Sequence, residues 1–197
     1  MQDKKKLIEY VIENNGMITT DRVEDFGYSR GSLKYMADLG ELEKVSRGVY
    51  ILPDTFEDEY VIFQNRFKKG IFSNQTALFL HGLTDRTPAN LHMTFPKGYN
   101  TSSPKSEGII CDVCKKEIYE LGIRESKTPF GNMIRTYNAE RTLCDLLKTK
   151  NHTDIQIIAE AFKSYLVRKD RNISLLSEYA KKLKVDKRLH VYLEVLI

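Results

Sequence analysis

The sequence predicts an α+β protein, because three parts of the chain have different hydrophobic patterns. The first 55 residues combine three short helical patterns with two β-type runs. The middle of the chain alternates in the manner of short strands, and the pattern from residue 140 onward has the spacing of helices. We therefore expect two domains, 1–55 and 56–197, with a helical C-terminal end and a boundary in the polar stretch after Pro53.

The composition is that of a globular protein without a membrane span. Hydrophobic residues make up 41% of the 197 residues and charged residues 29%, which is too apolar for a disordered chain. No apolar run approaches the ~18 residues that span a bilayer, and the N-terminus lacks the apolar core of a signal peptide. Three cysteines do not make a disulfide framework. We expect a cytoplasmic protein with no membrane partner.

The first two helices are short and are bounded by residues typical of helix ends. Apolar residues at helical spacing predict a first helix over about 3–14, which Gly16 stops because glycine accepts the positive φ of a helix end. A brief second helix follows Thr19 or Thr20, and either side chain can cap it. Gly27 ends this helix and opens a tight turn.

A third helix and a β-hairpin complete the N-terminal segment. Ser29 is a good N-cap for a helix that runs to about Leu39. Two β-type runs follow, over 42–46 and 49–52, joined around Arg47-Gly48. Three helices with a tight turn before the third, followed by a hairpin, predict a winged helix-turn-helix, in which the third helix enters the DNA major groove.

The exposed side of the third helix and the wing carry the predicted DNA contacts. Arg30 and Lys34 lie four residues apart on that side, and Gly31 allows a close approach of the backbone. Residues 1–55 have 8 Lys and Arg against 10 Asp and Glu, a net of −2. A winged helix that binds only protein, as an interaction adaptor, therefore remains an alternative. The predicted DNA-binding residues are Ser29, Arg30, Ser32, Lys34 and Tyr35 of the helix and Lys44 and Arg47 of the wing.

Further elements are predicted from residue 60 to the end of the chain. Residues 100–108 are rich in Ser, Pro and Gly and are predicted to form a loop. Strands are predicted over 71–73, 91–95, 108–113, 118–119 and 133–137, and helices over 60–67, 74–80, 155–167, 173–183, 186–195 and from 140 to about 147.

The excess positive charge lies near the C-terminus. Residues 163–188 hold nine basic residues against three acidic ones, a net of +6, whereas the whole chain has a net of +4. Such a segment predicts either a solvated helix face or a surface that binds a polyanion. The basic residues are Lys163, Arg168, Lys169, Arg171, Lys181, Lys182, Lys184, Lys187 and Arg188.

Patterns that would carry enzyme or metal chemistry are weak. Cys111 and Cys114 form a lone C-x-x-C that Cys144 and His152 could extend, but the spacing matches no common zinc site. The order of Asp112, Glu125 and Lys127 is the D…E-x-K of some Mg²⁺-dependent nucleases, although 125–127 has the composition of a loop. A nuclease stays an alternative. We expect no catalytic residue, no metal and no cofactor.

Several segments together resemble the AbiEi family, the antitoxins of abortive-infection (type IV) toxin–antitoxin systems. They are LEKVSRGVYILP over 42–53, FSNQTALFLHGLTD over 72–85, TFPKGYN over 94–100 and ERTLCDLL over 140–147. The resemblance implies a transcriptional autorepressor that binds inverted repeats upstream of its own operon. It also implies an antitoxin that neutralises a neighbouring nucleotidyltransferase-like toxin without a stable complex.

Charged residues within the resembling segments have structural interpretations as well. Arg141 and Asp145 lie four apart on one helix, which predicts an intrahelical ion pair. His81 is expected at a helix end, where a cation interacts favourably with the helix dipole.

Overall fold

The computed structural model describes residues 2–149 and 153–196 and confirms the α+β class. Its contacts divide the chain into a first unit, Met1–Lys68 with Lys127–Ile134, and a second unit, Lys69–Ser126 with Arg135–Ile197. A separately folding domain over 1–55 remains a prediction.

The first unit has the element order of a winged helix-turn-helix. Its elements are α1 (Gln2–Glu13), β1 (Met17–Thr19), α2 (Thr20–Asp25), α3 (Arg30–Asp38), β2 (Glu43–Ser46), β3 (Val49–Ile51) and α4 (Glu59–Arg66). The strands form an antiparallel sheet of order β1-β3-β2, so the wing hairpin is extended by the strand before α2.

The helices of the first unit pack through the apolar positions that their spacing predicts. Leu7 and Val11 of α1 meet Val23 of α2 and Leu33 and Met36 of α3, and each of these side chains is at most 2% exposed. Because the apolar side of α3 faces this core, its charged and polar side remains exposed.

α4 begins at a buried carboxylate. Asp58 is completely buried, and its Oδ1 accepts a hydrogen bond from the backbone N–H of Tyr60 at 3.1 Å. Its Oδ2 accepts from Thr128 Oγ1 at 2.5 Å and from Asn132 Nδ2 at 2.9 Å. Asn15 Nδ2 in turn donates to Asn132 Oδ1 at 3.3 Å. Asp58 therefore joins the start of α4 to the segment Lys127–Ile134 within the first unit.

The second unit combines one sheet with a helical cluster. Its elements are β4 (Ile71–Phe72), α5 (Asn74–Leu80), β5 (His92–Pro96), α6 (Ser102–Ser106), β6 (Ile110–Cys114), α7 (Lys116–Tyr119), β7 (Ile123–Lys127), β8 (Met133–Tyr137), α8 (Ala139–Leu146), α9 (Ile155–Leu166), α10 (Ile173–Leu183) and α11 (Asp186–Leu196). The last residue of β7 and the first two of β8 belong to the Lys127–Ile134 segment of the first unit. The strand order is β6-β5-β4-β8-β7, with β4 antiparallel to β5 and parallel to β8, and β5 parallel to β6.

The predicted helical end is confirmed, and it supplies most of the second unit's core. Leu143 and Leu147 at α8 pack with Ile158 and Phe162 of α9 and with Leu176 of α10, all at most 1% exposed. The 3.6-residue pattern from residue 140 onward thus marks faces that pack against one another.

Two predictions for residues 100–119 are wrong. The predicted loop over 100–108 contains α6, whose third residue is Pro104. Proline is tolerated there because the first-turn N–H groups of a helix have no partner within the helix. The predicted strand over 118–119 is the end of α7, since two apolar residues are too few to distinguish the two periods.

We expect Asp58→Ala to destabilise the first unit by roughly 2–4 kcal/mol, because the substitution removes the acceptor of three hydrogen bonds in a buried place. Urea unfolding of the full chain measures this loss. Glu57→Ala is the matched control, because Glu57 is an exposed neighbouring carboxylate. Equal midpoints for the two variants would contradict the assigned role of Asp58.

Candidate nucleic-acid interface

α2 and α3 form the helix-turn-helix, and both predicted caps lie where the sequence places them. Thr19 caps α2, and its Oγ1 accepts from the backbone N–H of Arg22 at 3.4 Å. Gly27 turns the chain at φ +79°, and Ser29 is the N-cap residue of α3. The Ser29 hydroxyl does not bond the helix backbone, however, but lies 3.2 Å from the Ser32 hydroxyl. Both hydroxyls are therefore at the start of α3.

The exposed side of α3 carries the residues that we predicted to face DNA. Lys34 and Tyr35 are exposed, Tyr35 by 61% of its surface. Arg30 is also exposed, but it is paired: its Nε donates to Glu24 Oε1 at 2.8 Å and its Nη2 donates to Glu24 Oε2 at 3.0 Å. The hydrogen bond and charge of Glu24 raise the pKa of Arg30. Sequence reasoning missed Glu24 because the partners lie six residues apart on different helices.

Contacts at the tip hold the wing in place. Gly48 has φ +76°, and its carbonyl accepts from the backbone N–H of Thr20 at 2.9 Å. Asn65 of α4 donates its Nδ2 to the carbonyl of Arg47 at 3.0 Å. The Arg47 side chain remains exposed, as does that of Lys44 on β2. The tip is therefore anchored through its backbone while its cationic side chains reach solvent.

α3 and the wing together line an open groove of about 480 Å³. Lys34 of α3 and Lys44 of β2 both contribute to its walls, as do the acidic Asp38 and Glu43. Lys34, Lys44 and Arg47 make no ion pair with any residue that the structure describes. Several acidic residues of this unit are paired with other cations instead. The groove thus brings one cation of the helix and one of the wing to the same depression.

A comparison with family models finds a match in the N-terminal segment. Residues 5–53 match the family model described as transcriptional regulator, AbiEi antitoxin. The match covers α1 through β3 and confirms the predicted AbiEi resemblance for the winged helix. It supports a DNA-binding regulator of the antitoxin class, whereas the resemblance over 72–147 remains a prediction. No curated protein matches the chain.

The basic residues of 163–188, which lie beyond the AbiEi match, divide into two groups. The first group makes ion pairs or hydrogen bonds within the second unit. Arg168 pairs with Asp170 at 2.7 and 2.8 Å and donates Nη1 to the carbonyl of His81 at 3.0 Å. Arg188 donates Nη1 to the carbonyl of Leu147 at 2.5 Å. Arg171 likewise donates to a backbone carbonyl, and Lys182 pairs with a glutamate of its own helix.

The second group consists of exposed lysines without an ion pair to any described residue. Lys184 ends α10 in a left-handed conformation at φ 59°, and the other four lie in or next to the last three helices. These side chains are the most available to a polyanion, because no ion pair to a described residue competes for them. Its members, which we call the lysine set, are Lys163, Lys169, Lys181, Lys184 and Lys187.

The residues of the nuclease alternative are not brought together. Asp112 lies on β6 and Glu125 on β7, which are the two opposite edges of the sheet. At ~4.8 Å per strand, about 19 Å separates these edges, far more than two ligands of one Mg²⁺ can span. Asp112 Oδ2 instead accepts from Asn74 Nδ2 at 2.8 Å. The expected loop at 125–127, which includes Lys127, is part of β7 and was mistaken because an exposed edge strand carries polar residues.

The two cysteines of the C-x-x-C motif do not face each other. Cys111 and Cys114 are three residues apart on β6, so their side chains point to opposite faces of the sheet. Burial raises the pKa of both thiols and raises that of Cys144 to about 12. His152 lies outside the described residues. Among residues 2–149 and 153–196 no group of three His, Cys, Asp or Glu side chains could hold a metal, and no helix could cross a membrane.

The predicted ion pair of α8 is confirmed. Arg141 Nε donates to Asp145 Oδ2 at 3.0 Å, and both side chains are buried. Arg141 Nη1 also donates to the carbonyls of Ile118 at 2.5 Å and Leu121 at 2.9 Å, and its guanidinium lies 4.3 Å from the centre of the Tyr137 ring. All of these contacts are internal, so the pair orients α8 and the chain before it.

His81 lies at the end of α5 as predicted, but it does not act as a cation there. Its Nε2 lies 2.5 Å from the carbonyl oxygen of Tyr137, and burial lowers the pKa of the ring. The guanidinium of Arg168 occupies that helix end instead, since it donates to the His81 carbonyl.

We expect Gly48→Ala to destabilise the protein by roughly 1–3 kcal/mol, because an alanine Cβ would be strained at this φ. The Cβ would also lie 2.8 Å from Thr20 Oγ1. Gly27→Ala is the control, since Gly27 has a similar φ of +79° and nothing within 4 Å of such a Cβ. Urea midpoints should fall further for the Gly48 variant, and the reverse order would contradict the anchoring of the wing tip.

Proposed function

We propose that the protein is a transcriptional autorepressor that binds inverted repeats upstream of its own operon through the winged helix. The observation that carries this proposal is the groove between α3 and β2, which Lys34 and Lys44 line together with Asp38 and Glu43. Neither lysine makes an ion pair with a described residue. Such a pair suits the phosphates that flank a major groove occupied by α3. The AbiEi match over residues 5–53 supports the same assignment.

The proposed contacts differ between the helix and the wing. Arg30 and Lys34, with Ser29, Ser32 and Tyr35 beside them, face base edges and the nearest phosphates from α3. Lys44 and Arg47 contact the sugar–phosphate backbone from the wing. One such module buries only ~600–1,000 Å² of its own surface on DNA, which favours two copies on inverted half-sites.

We propose further that the protein is a cytoplasmic antitoxin of a type IV toxin–antitoxin system that acts in abortive phage infection. In this proposal it neutralises a nucleotidyltransferase-like toxin without a stable complex and without enzyme activity or a cofactor of its own. The family description of residues 5–53 and the resembling segments beyond them support this role.

One observation favours the adaptor alternative. Tyr35 and Leu39 are four residues apart at α3 and are 61% and 49% exposed, which gives the helix an apolar edge as well as a basic one. An adaptor would use this edge for a protein and would show no preference for operator DNA.

The test is binding of the full chain to the DNA upstream of its gene, compared with unrelated DNA of equal length. We expect Lys44→Ala with Arg47→Ala to weaken binding to both DNAs and to reduce the slope of log K against log[salt] by about 2, since about 0.9 counterions are released per phosphate contact. Lys5→Ala with Lys6→Ala removes the same charge from exposed positions of α1. Equal losses for the two double variants would contradict the wing contacts, and absence of any DNA preference in the unaltered protein would favour the adaptor.

The lysine set offers a test of the antitoxin role in the second unit. We expect Lys169, Lys181 and Lys187, each changed to Glu, to remove protection against the co-expressed toxin, because a reversed charge repels the polyanion that the set would bind. The control changes Lys97, Lys105 and Lys115, which are exposed lysines of the same unit, to Glu. Full protection by the first variant, with an unchanged circular dichroism spectrum, would show that the lysine set is a solvated face and would contradict its role in protection.

A further inference from the structure

The pair between Glu24 and Arg30 crosses the turn of the helix-turn-helix at the start of α3. Arg30 is the first residue of α3, and Glu24 lies near the end of α2. The carboxylate of Glu24 receives two nearly parallel hydrogen bonds, from Arg30 Nε at 2.8 Å and from Nη2 at 3.0 Å. The first residues of a recognition helix lie nearest the base edges. The pair therefore stands where sequence would be read.

Glu24 occupies only one edge of the guanidinium. An arginine side chain has five N–H donors in a rigid plane. Glu24 takes the N–H of Nε and one N–H of Nη2, which is the side edge of the plane. The end edge, formed by Nη1 and the second N–H of Nη2, remains unused by this pair. Two parallel donors on one edge match the O6 and N7 acceptors of guanine.

The backbone at Glu24 is itself fixed. Its carbonyl accepts hydrogen bonds from the cap N–H of Phe26 and from the N–H of Gly27 at 2.9 Å, so Glu24 belongs to the closed end of α2. The ring of Phe26 lies 3.8 Å, centre to centre, from the ring of Tyr10 on α1. A carboxylate that starts from such a fixed backbone can hold the long Arg30 side chain in one orientation.

We propose that Glu24 is a positioning residue that presents the end edge of Arg30 to a guanine. This inference rests on the proposed binding of operator DNA by α3. Glu24 acts in two ways: it restricts the rotamers of Arg30 before DNA arrives, and its negative charge disfavours contact with phosphates alone. The fixed orientation of Arg30 raises the preference for operator DNA over unrelated DNA, whereas the charge of Glu24 lowers binding to both DNAs.

The test compares four single variants and one double variant of the full chain on the upstream DNA and on a scrambled duplex of equal length. The single variants are Glu24→Gln, Asp25→Asn, Arg30→Ala and Arg30→Lys, and the double variant combines Glu24→Gln with Arg30→Ala. Asp25 is the matched control, since it is an exposed acidic residue of the same helix. The hydrogen bonds of Arg30 to a carboxylate go to Glu24 and not to Asp25. Asp25→Asn reproduces the change of charge without the change of pairing.

We expect Glu24→Gln to lower the ratio of affinities for upstream and scrambled DNA by about five- to ten-fold, because Arg30 loses its fixed orientation. Asp25→Asn should leave this ratio unchanged and strengthen binding to both DNAs slightly. Arg30→Lys should lose the same preference as Arg30→Ala although it keeps the charge, since an ammonium cannot make two parallel hydrogen bonds. Adding Glu24→Gln to Arg30→Ala should change the ratio of affinities no further, although it should strengthen binding to both DNAs slightly, as Asp25→Asn does.

Replacement of single guanines by 7-deazaguanine identifies the contact itself. At one guanine in each half-site, this replacement should weaken binding of the unaltered protein and of Asp25→Asn. It should not change the affinity of Arg30→Ala. An affinity ratio for Glu24→Gln equal to that for Asp25→Asn, or higher than in the unaltered protein, would overturn the inference. If the unaltered protein shows no preference for the upstream DNA, the proposed function fails first and this inference fails with it.

Discussion

The buried carboxylate of Asp58 is the contact from which the geometry of the winged helix follows. It begins α4 by accepting the N–H of Tyr60, and it binds Thr128 and Asn132 from a distant part of the sequence. Near its other end α4 supplies Asn65, whose amide holds the carbonyl of Arg47 at the wing tip. Val61 and Ile62 of the same helix pack with the sheet residues Met17, Val49 and Ile51. A helix that lies outside the family match therefore holds the wing that the match describes.

The elements that depend on local sequence signals could be predicted from the sequence. Features that depend on contacts formed only in the folded protein could not. Helical spacing and cap residues located α2, α3 and α10 closely, since a cap and a periodic face are properties of a few neighbouring residues. The partner of Arg30 could not be found in this way, because Glu24 meets it only after α2 and α3 have packed. Likewise β7 carries charged residues because it is an edge strand, and edge position is a property of the whole sheet.

The arginines of the second unit add less positive charge to its surface than their number suggests. Arg141 and Arg188 donate to carbonyl groups at short range, and Arg168 closes the end of α5. These planar side chains satisfy carbonyls that the ends of helices and turns leave open. The lysines of the same region have compact, strongly hydrated charges and remain at the surface. A charge count over 163–188 therefore overstates the positive charge that a polyanion would meet. The lysines alone represent that charge better than lysines and arginines together.

Ion pairing likewise reduces the negative charge that the N-terminal segment presents at its surface. Acidic residues outnumber basic ones over 1–55, yet Glu41, Asp21 and Glu24 are each paired with a cation. The screening length at physiological salt is ~8 Å, so a phosphate responds to the charges nearest to it and not to the net charge of the domain. At the groove those charges are Lys34 and Lys44, offset by Asp38 and Glu43. Such a mixed surface attracts phosphates less than a purely basic one. Under the proposed function this is an advantage, because specificity is the ratio of the affinities for the operator and for all other DNA.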